Sequence, residues 1–129
     1  MPHAHPHVDR KNYAALPDAV GPYSHAVKHG QTLYLSGFTA FGTAAQGSSL
    51  AEQADAVFDQ IEAVAAAEGV GMRSLLKVTV FITDIGQIAQ LRPVLLRRYD
   101  GNLPASSLVE VSKLFSPELN IEIEAIFAV

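Results

Sequence analysis

The stretch "LLKVTVFITDIGQIAQLRPVLLRRYD" (residues 75–100) decides the fold. Its first part, Leu75 to Thr83, is dominated by β-branched and large apolar residues, too apolar for a half-exposed strand, and reads as a strand central in its sheet. Asp84 is placed to cap a helix, and Ile88, Leu91 and Leu95 then recur at three- and four-residue steps on one helical face. Pro93 falls inside that helix, where it predicts a kink or a tighter first turn. A strand running into an amphipathic helix needs a further strand to close the unit.

Working outward, "GNLP" (101–104) breaks the chain, and two strand candidates follow, "SSLVEVS" (106–112) and "IEIEAIFAV" (121–129). Upstream, Ser49 and Glu52 have capping-box spacing, and Leu50, Ala54, Val57, Ile61 and Val64 form one apolar stripe of a long helix. Gly69 is its expected stop. Before the small-residue loop "FGTAAQGSS" (41–49), the segments "SHAVK" (24–28) and "TLYLSG" (32–37) read as two strands joined through "HGQ", a glycine-containing turn. The order is β-β-α-β-α-β-β, an α+β domain with two helices on one face of a mixed sheet. The strand after each helix is expected to run parallel to one before it.

With 129 residues, 49% hydrophobic and 17% charged, the chain has enough apolar material for one core and reads as a single globular domain. Residues 1–12 are assigned to a flexible N-terminal tail and residues 13–129 to that domain. His3, His5 and His7 alternate with Pro and Ala in the tail. Such imidazoles can chelate a divalent metal, but a mobile terminus is the reading preferred, and no metal site is expected. A net charge of -4 excludes a general binder of nucleic acid or anionic membrane. The absence of cysteine excludes disulfides, thiolate metal sites and a cysteine nucleophile. No signal-peptide core or membrane-spanning run is read, so a cytoplasmic protein is expected.

In the terminal strand, Glu122 and Glu124 share one face while Ile121, Ile123 and Ala125 share the other. If both helices cover one sheet face, the opposite face lacks internal cover, and self-association is the natural remedy. The two carboxylates would then pair at a subunit interface or line a cleft.

Five segments in register resemble the RidA/YjgF family, the reactive-intermediate deaminases: "GPYSHAV" (21–27), "LYLSG" (33–37), "KVTVFITD" (77–84), "LPAS" (103–106) and "IEIEAI" (121–126). The resemblance runs from about residue 14 to the end. It implies a chorismate-mutase-like fold, a homotrimer around a central barrel of sheets, and ligand clefts between subunits. The family's best-known members hydrolyse enamine and imine intermediates to a keto acid and ammonia without metal or cofactor, so no cofactor is expected.

Carried over by position, the resemblance makes Glu122 the cleft glutamate that polarises the attacking water and Tyr23 a hydroxyl donor to substrate. Ser36 and Gly37 match the family's serine–glycine strand. Three positions depart from the pattern. Ser106 stands where active deaminases carry an arginine that grips the substrate carboxylate, and a hydroxyl offers neither charge nor a bidentate fork. Leu108 replaces a usual Cys or Thr, and Phe38 a usual glutamine. Arg92, on the second helix, is a candidate replacement anchor if its side chain turns inward.

The expected function is therefore binding of a small carbonyl, enamine or imine metabolite, with hydrolytic deamination of a non-standard substrate, as in aminomuconate-type deaminases. The alternative is a non-catalytic ligand-binding or regulatory trimer. A ribonuclease role, ascribed to some relatives, is opposed by the acidic balance and the lack of a basic stripe.

Overall fold

The computed structural model describes residues 5–129, so His3 lies outside the described residues. His5 and His7 are exposed. The elements are β1 (Asp9–Lys11), β2 (Ala26–His29), β3 (Thr32–Leu35), α1 (Leu50–Ala67), β4 (Leu75–Ile82), α2 (Ile88–Tyr99), β5 (Ala105–Glu110) and β6 (Ile121–Ala128). The strands form one mixed sheet in the order β1-β2-β3-β6-β4-β5.

Local chemistry sets each element. Gly30 has a φ of 61° at the first central position of the two-residue turn between His29 and Thr32, the glycine-favouring geometry of a tight hairpin. Ser49 caps α1 by accepting from the Glu52 amide at 3.2 Å, as the capping-box spacing predicts. Gly69, at φ 76°, follows the end of that helix. Asp84 caps a single 3-10 turn (Ile85–Gln87), which leads into α2. Pro93 lies six residues beyond this 3-10 turn, inside α2, so the turn is set by the Asp84 cap and not by the proline. The helix continues through Pro93 to Tyr99, and the chain reverses at Asp100 and Gly101, both at positive φ.

Both crossovers run as expected. Strands β3 and β4 each pair antiparallel with β6, so they are parallel to one another across it, and β4 pairs parallel with its neighbour β5. The core lies between the sheet and the helices. Phe58, Val57 and Ile61 of α1 meet Val78, Val80 and Ile82 of β4 and Ile121, Ile123 and Phe127 of β6, all essentially buried. Fully burying one such large side chain contributes about 1.5–3 kcal/mol. Arg98 in the last turn of α2 ties the helices together, donating to Glu62 at 2.6 Å, Asp59 at 2.8 Å and Asp55 at 3.1 Å on α1.

Two expectations need correction. Residues 9–11, assigned to the N-terminal tail, form β1 and pair with Ala26–Lys28 of β2. Lys11 explains the attachment, because its ammonium and the Tyr13 hydroxyl both reach Glu68 beyond α1, at 3.3 and 3.0 Å. Strand β4 is interior in the sheet, yet only one of its faces is buried. Lys77 is exposed and Thr79 and Phe81 are half-buried, because both helices lie on the other side.

Candidate functional site

The main cleft has a volume of about 610 Å³ and opens where the end of β3 approaches β6. Tyr23, Ser36, Gly37, Phe38 and Glu122 all line it. Beyond β3 the chain forms a reciprocal bridge, with the Phe38 amide donating to the Ile123 carbonyl at 2.9 Å and the Ile123 amide returning to the Phe38 carbonyl at 3.1 Å. That bridge sets Gly37 beside Glu122. A Cβ at position 37 would lie 2.6 Å from Glu122 Oε2, so the carboxylate occupies space that only glycine leaves open.

The register of Glu122 is fixed from behind by Gln53. This fully buried amide on α1 donates to the carbonyls of Ser48 (3.0 Å) and Glu118 (2.8 Å) and accepts from the Asn120 amide at 2.8 Å. All its main polar capacity is used to hold the loop that feeds β6. Nothing in the sequence pattern singled out Gln53, because a glutamine on the apolar stripe reads as an interruption.

Glu122 is half-buried, has no hydrogen-bond or ion-pair partner among the described residues, and projects from the same sheet face as exposed Glu124. Burial raises its pKa above the ordinary glutamate value, and the neighbouring Glu124 charge adds to the rise. A carboxyl so placed is poised to exchange a proton with a bound reactant. Tyr23 stands exposed at the rim, its amide donating to the Gly21 carbonyl at 2.9 Å. Ser36 donates its hydroxyl proton to the Ser24 carbonyl at 2.6 Å, so towards a ligand it offers an acceptor. Phe38 is only 6% exposed and belongs mainly to the core.

Residues not anticipated complete the wall. His25 is buried, with Nδ1 accepting from the Tyr13 amide and Nε2–H suited to donate to the Pro17 carbonyl, each at 2.9 Å. Both ring nitrogens are thus committed to the backbone, leaving none to act on a ligand. Gln60 spends its amide nitrogen on the carbonyls of Thr39 and Ala56. Phe41 and Phe115 stand edge to face with centroids 5.2 Å apart. Two exposed aromatics in loops separated by most of the chain carry no periodicity by which a sequence reading finds them.

Arg92, Ser106 and Leu108 are not brought to this cleft within the chain. Ser106 and Leu108 pair with Val78 and Val80, whose side chains face the helices, whereas Glu122 pairs with Phe81 on the open face. They therefore leave opposite faces of the sheet, with β4 between their strands. Arg92 is exposed on α2, whose buried side carries Leu91, Val94 and Tyr99. The inward-turned arginine is not found in the single chain.

The family described as Endoribonuclease L-PSP matches residues 13–129. The chain belongs to this L-PSP family, also called RidA/YjgF. Among relatives, Protein DfrA of Myxococcus xanthus is 37% identical over 116 residues, spanning 85% of this chain and 87% of its own. The 2-iminobutanoate/2-iminopropanoate deaminase of Dermatophagoides farinae is 30% identical over 116 residues, covering 88% and 90% of the two chains. The crystal structure of RidA from an Antarctic Psychrobacter superposes with a TM-score of 0.79 at 34% identity, covering 88% of this chain and 93% of that one. The L-PSP family fold thus accounts for the α+β architecture and the six-stranded mixed sheet. No helix among the described residues is long and apolar enough to cross a membrane.

Proposed function

We propose that the protein is a cofactor-independent hydrolase of imines or enamines, acting in the Glu122 cleft as a homotrimer. The observation that carries this reading is the half-buried, unpaired carboxyl of Glu122 held over Gly37, with a pKa raised by burial and by Glu124. The similarity to an imine deaminase over most of the chain supports the reaction class. The open sheet face, with Phe81 and Ile126 half-buried and Tyr34 exposed, supports self-association through that face.

The chemistry balances without a redox partner. A water oxygen bonds to the imine carbon, and its proton passes to the Glu122 carboxylate. Glu122 returns a proton to the nitrogen of the resulting carbinolamine. The C–N bond then breaks as the carbinolamine hydroxyl gives its proton to the Glu122 carboxylate, releasing ammonia and leaving a carbonyl. Tyr23 supplies a hydroxyl at the rim to orient the substrate. In the trimer, edge strand β5 of a neighbouring copy would bring Ser106 and Leu108 to the cleft.

The test is hydrolysis of freshly generated 2-iminobutanoate by wild type, Glu122→Ala and Ser106→Arg. Acceleration by wild type that Glu122→Ala abolishes supports the hydrolase. Activity in Ser106→Arg alone supports a competent site whose own substrate lacks that carboxylate. Inactivity of all three, extending to neutral imines, moves the protein to the ligand-binding class.

A further inference from the structure

We infer that the cleft takes a neutral or cationic, ring-bearing ligand, such as the iminium of an aryl or arylalkyl aldehyde, in preference to an anionic imino acid. This deepens the preceding reading and rests on the cleft being the ligand site.

Charge is the first argument. Among the described residues of the chain, the carboxylates lining the cleft are Asp18 and Glu122, and no lysine or arginine lines it; the groups a neighbouring β5 would add, Ser106 and Leu108, carry no charge. An anion entering meets negative charge with no counter-charge from this chain's wall, whereas a planar cation is attracted by both carboxylates.

Donor inventory is the second. Anions are commonly held by backbone amides, but those of Tyr23, Ser36, Phe38 and Phe41 already donate to Gly21, His25, Ile123 and Thr39. The Gln60 amide and both His25 nitrogens are likewise engaged within the protein. None of these groups can replace the bonds a carboxylate loses on entry, and the Tyr23 hydroxyl offers only a neutral donor in their place.

Shape is the third. Phe41 and Phe115 form an exposed edge-to-face pair on the wall, and Phe115 is 57% exposed. Together with Tyr23 they give a flat ligand ring surfaces to stack on and a cation ring faces to approach. Hydrolysis of such an iminium uses the same water addition and C–N cleavage, and releases ammonium and an aryl aldehyde.

Benzamidine, benzamide and benzoate share one shape and differ in charge, so they isolate these terms. Binding of each to the full chain is measured by NMR titration, following resonances of cleft residues. Benzamidine and benzamide are expected to bind, with benzoate weaker than benzamidine by about tenfold or more. Phe115→Ala should weaken both binders, and Asp18→Asn should reduce the benzamidine affinity while sparing benzamide; both positions are exposed, so folding is not at stake. Benzoate binding as tightly as benzamidine, or no cleft response to any of the three, overturns the inference. Hydrolysis assays separate the two claims. Turnover of 2-iminobutanoate with a preference for benzoate overturns this ligand class and keeps the hydrolase. Preference for benzamidine without turnover of any imine keeps the ligand class and overturns the hydrolase.

Discussion

Gly37→Ala isolates the position of the Glu122 carboxylate from its presence. An added Cβ would lie 2.6, 2.7 and 2.9 Å from Oε2, Cδ and Cγ of Glu122. The far end of a flexible side chain yields before a backbone does. Moving the carboxylate from 2.6 Å to ordinary contact at 3.4 Å is a displacement of roughly 0.8 Å, and misplacing a reacting group by about 1 Å costs on the order of 100-fold in rate. Gly37 is not among the positive-φ residues, so alanine imposes no backbone strain. The unfolded chain loses entropy on the change, which stabilises by about 0.4–1 kcal/mol and offsets part of the local crowding. The expected result is a fall of about 100-fold in kcat/KM with a melting temperature near that of wild type. In the Glu122→Ala background the same change should have little further effect, because the atom being displaced has gone. Full activity in Gly37→Ala, or an equal fractional loss in both backgrounds, would refute the reasoning.

Three further outcomes follow from particular side chains. Because the folded-state pKa of Glu122 lies above its unfolded value, its stabilising contribution is complete below the ordinary glutamate pKa and is lost as pH rises through the raised one. Glu122→Gln should therefore gain stability relative to wild type on going from about pH 4 to about pH 8 in urea titrations; a constant difference would contradict the assignment. Arg98→Ala removes donors to Asp55, Asp59 and Glu62 and should cost about 1–2 kcal/mol, reduced at high salt, read by thermal unfolding. Tyr99 packs edge to face on Phe58, but its hydroxyl is buried without a partner, and burial pushes its pKa up to about 12. Tyr99→Phe keeps the ring and removes the orphan group, so a gain of about 1 kcal/mol is expected in denaturant unfolding.

The parts of the fold legible in the sequence are those written in local code. Ser49 with Glu52, the apolar stripe of α1, Gly69 and the alternation of β6 each specify their element without help from distant residues. Strand β1 was not legible, since three residues carry no period, and their pairing depends on Lys11 and Tyr13 reaching Glu68 across the fold. The uncovered sheet face was anticipated from two helices on one side, but β4 was read as too apolar to be half exposed, because an apolar sequence reports affinity for burial and not which layer supplies it.

The site divides in the same way. Glu122 stood out because a carboxylate on an apolar strand has few uses, and Gly37 now has a physical reason in the space Glu122 occupies. Gln53, Phe41 and Phe115 act through contacts between loops and helices far apart in sequence, which no spacing rule encodes. Ser106 and Leu108 were read by resemblance alone. The sheet register sends them to the face opposite Glu122, a relation that only strand order reveals.

The most direct test of a catalytic Glu122 is the pH dependence of kcat/KM for imine hydrolysis, measured for wild type and Glu122→Gln. The account predicts that wild-type activity rises with the ionisation of one carboxyl whose pKa lies above the ordinary glutamate range, and that this limb disappears in Glu122→Gln. The same limb persisting in Glu122→Gln would show that another group controls the reaction and would contradict the account.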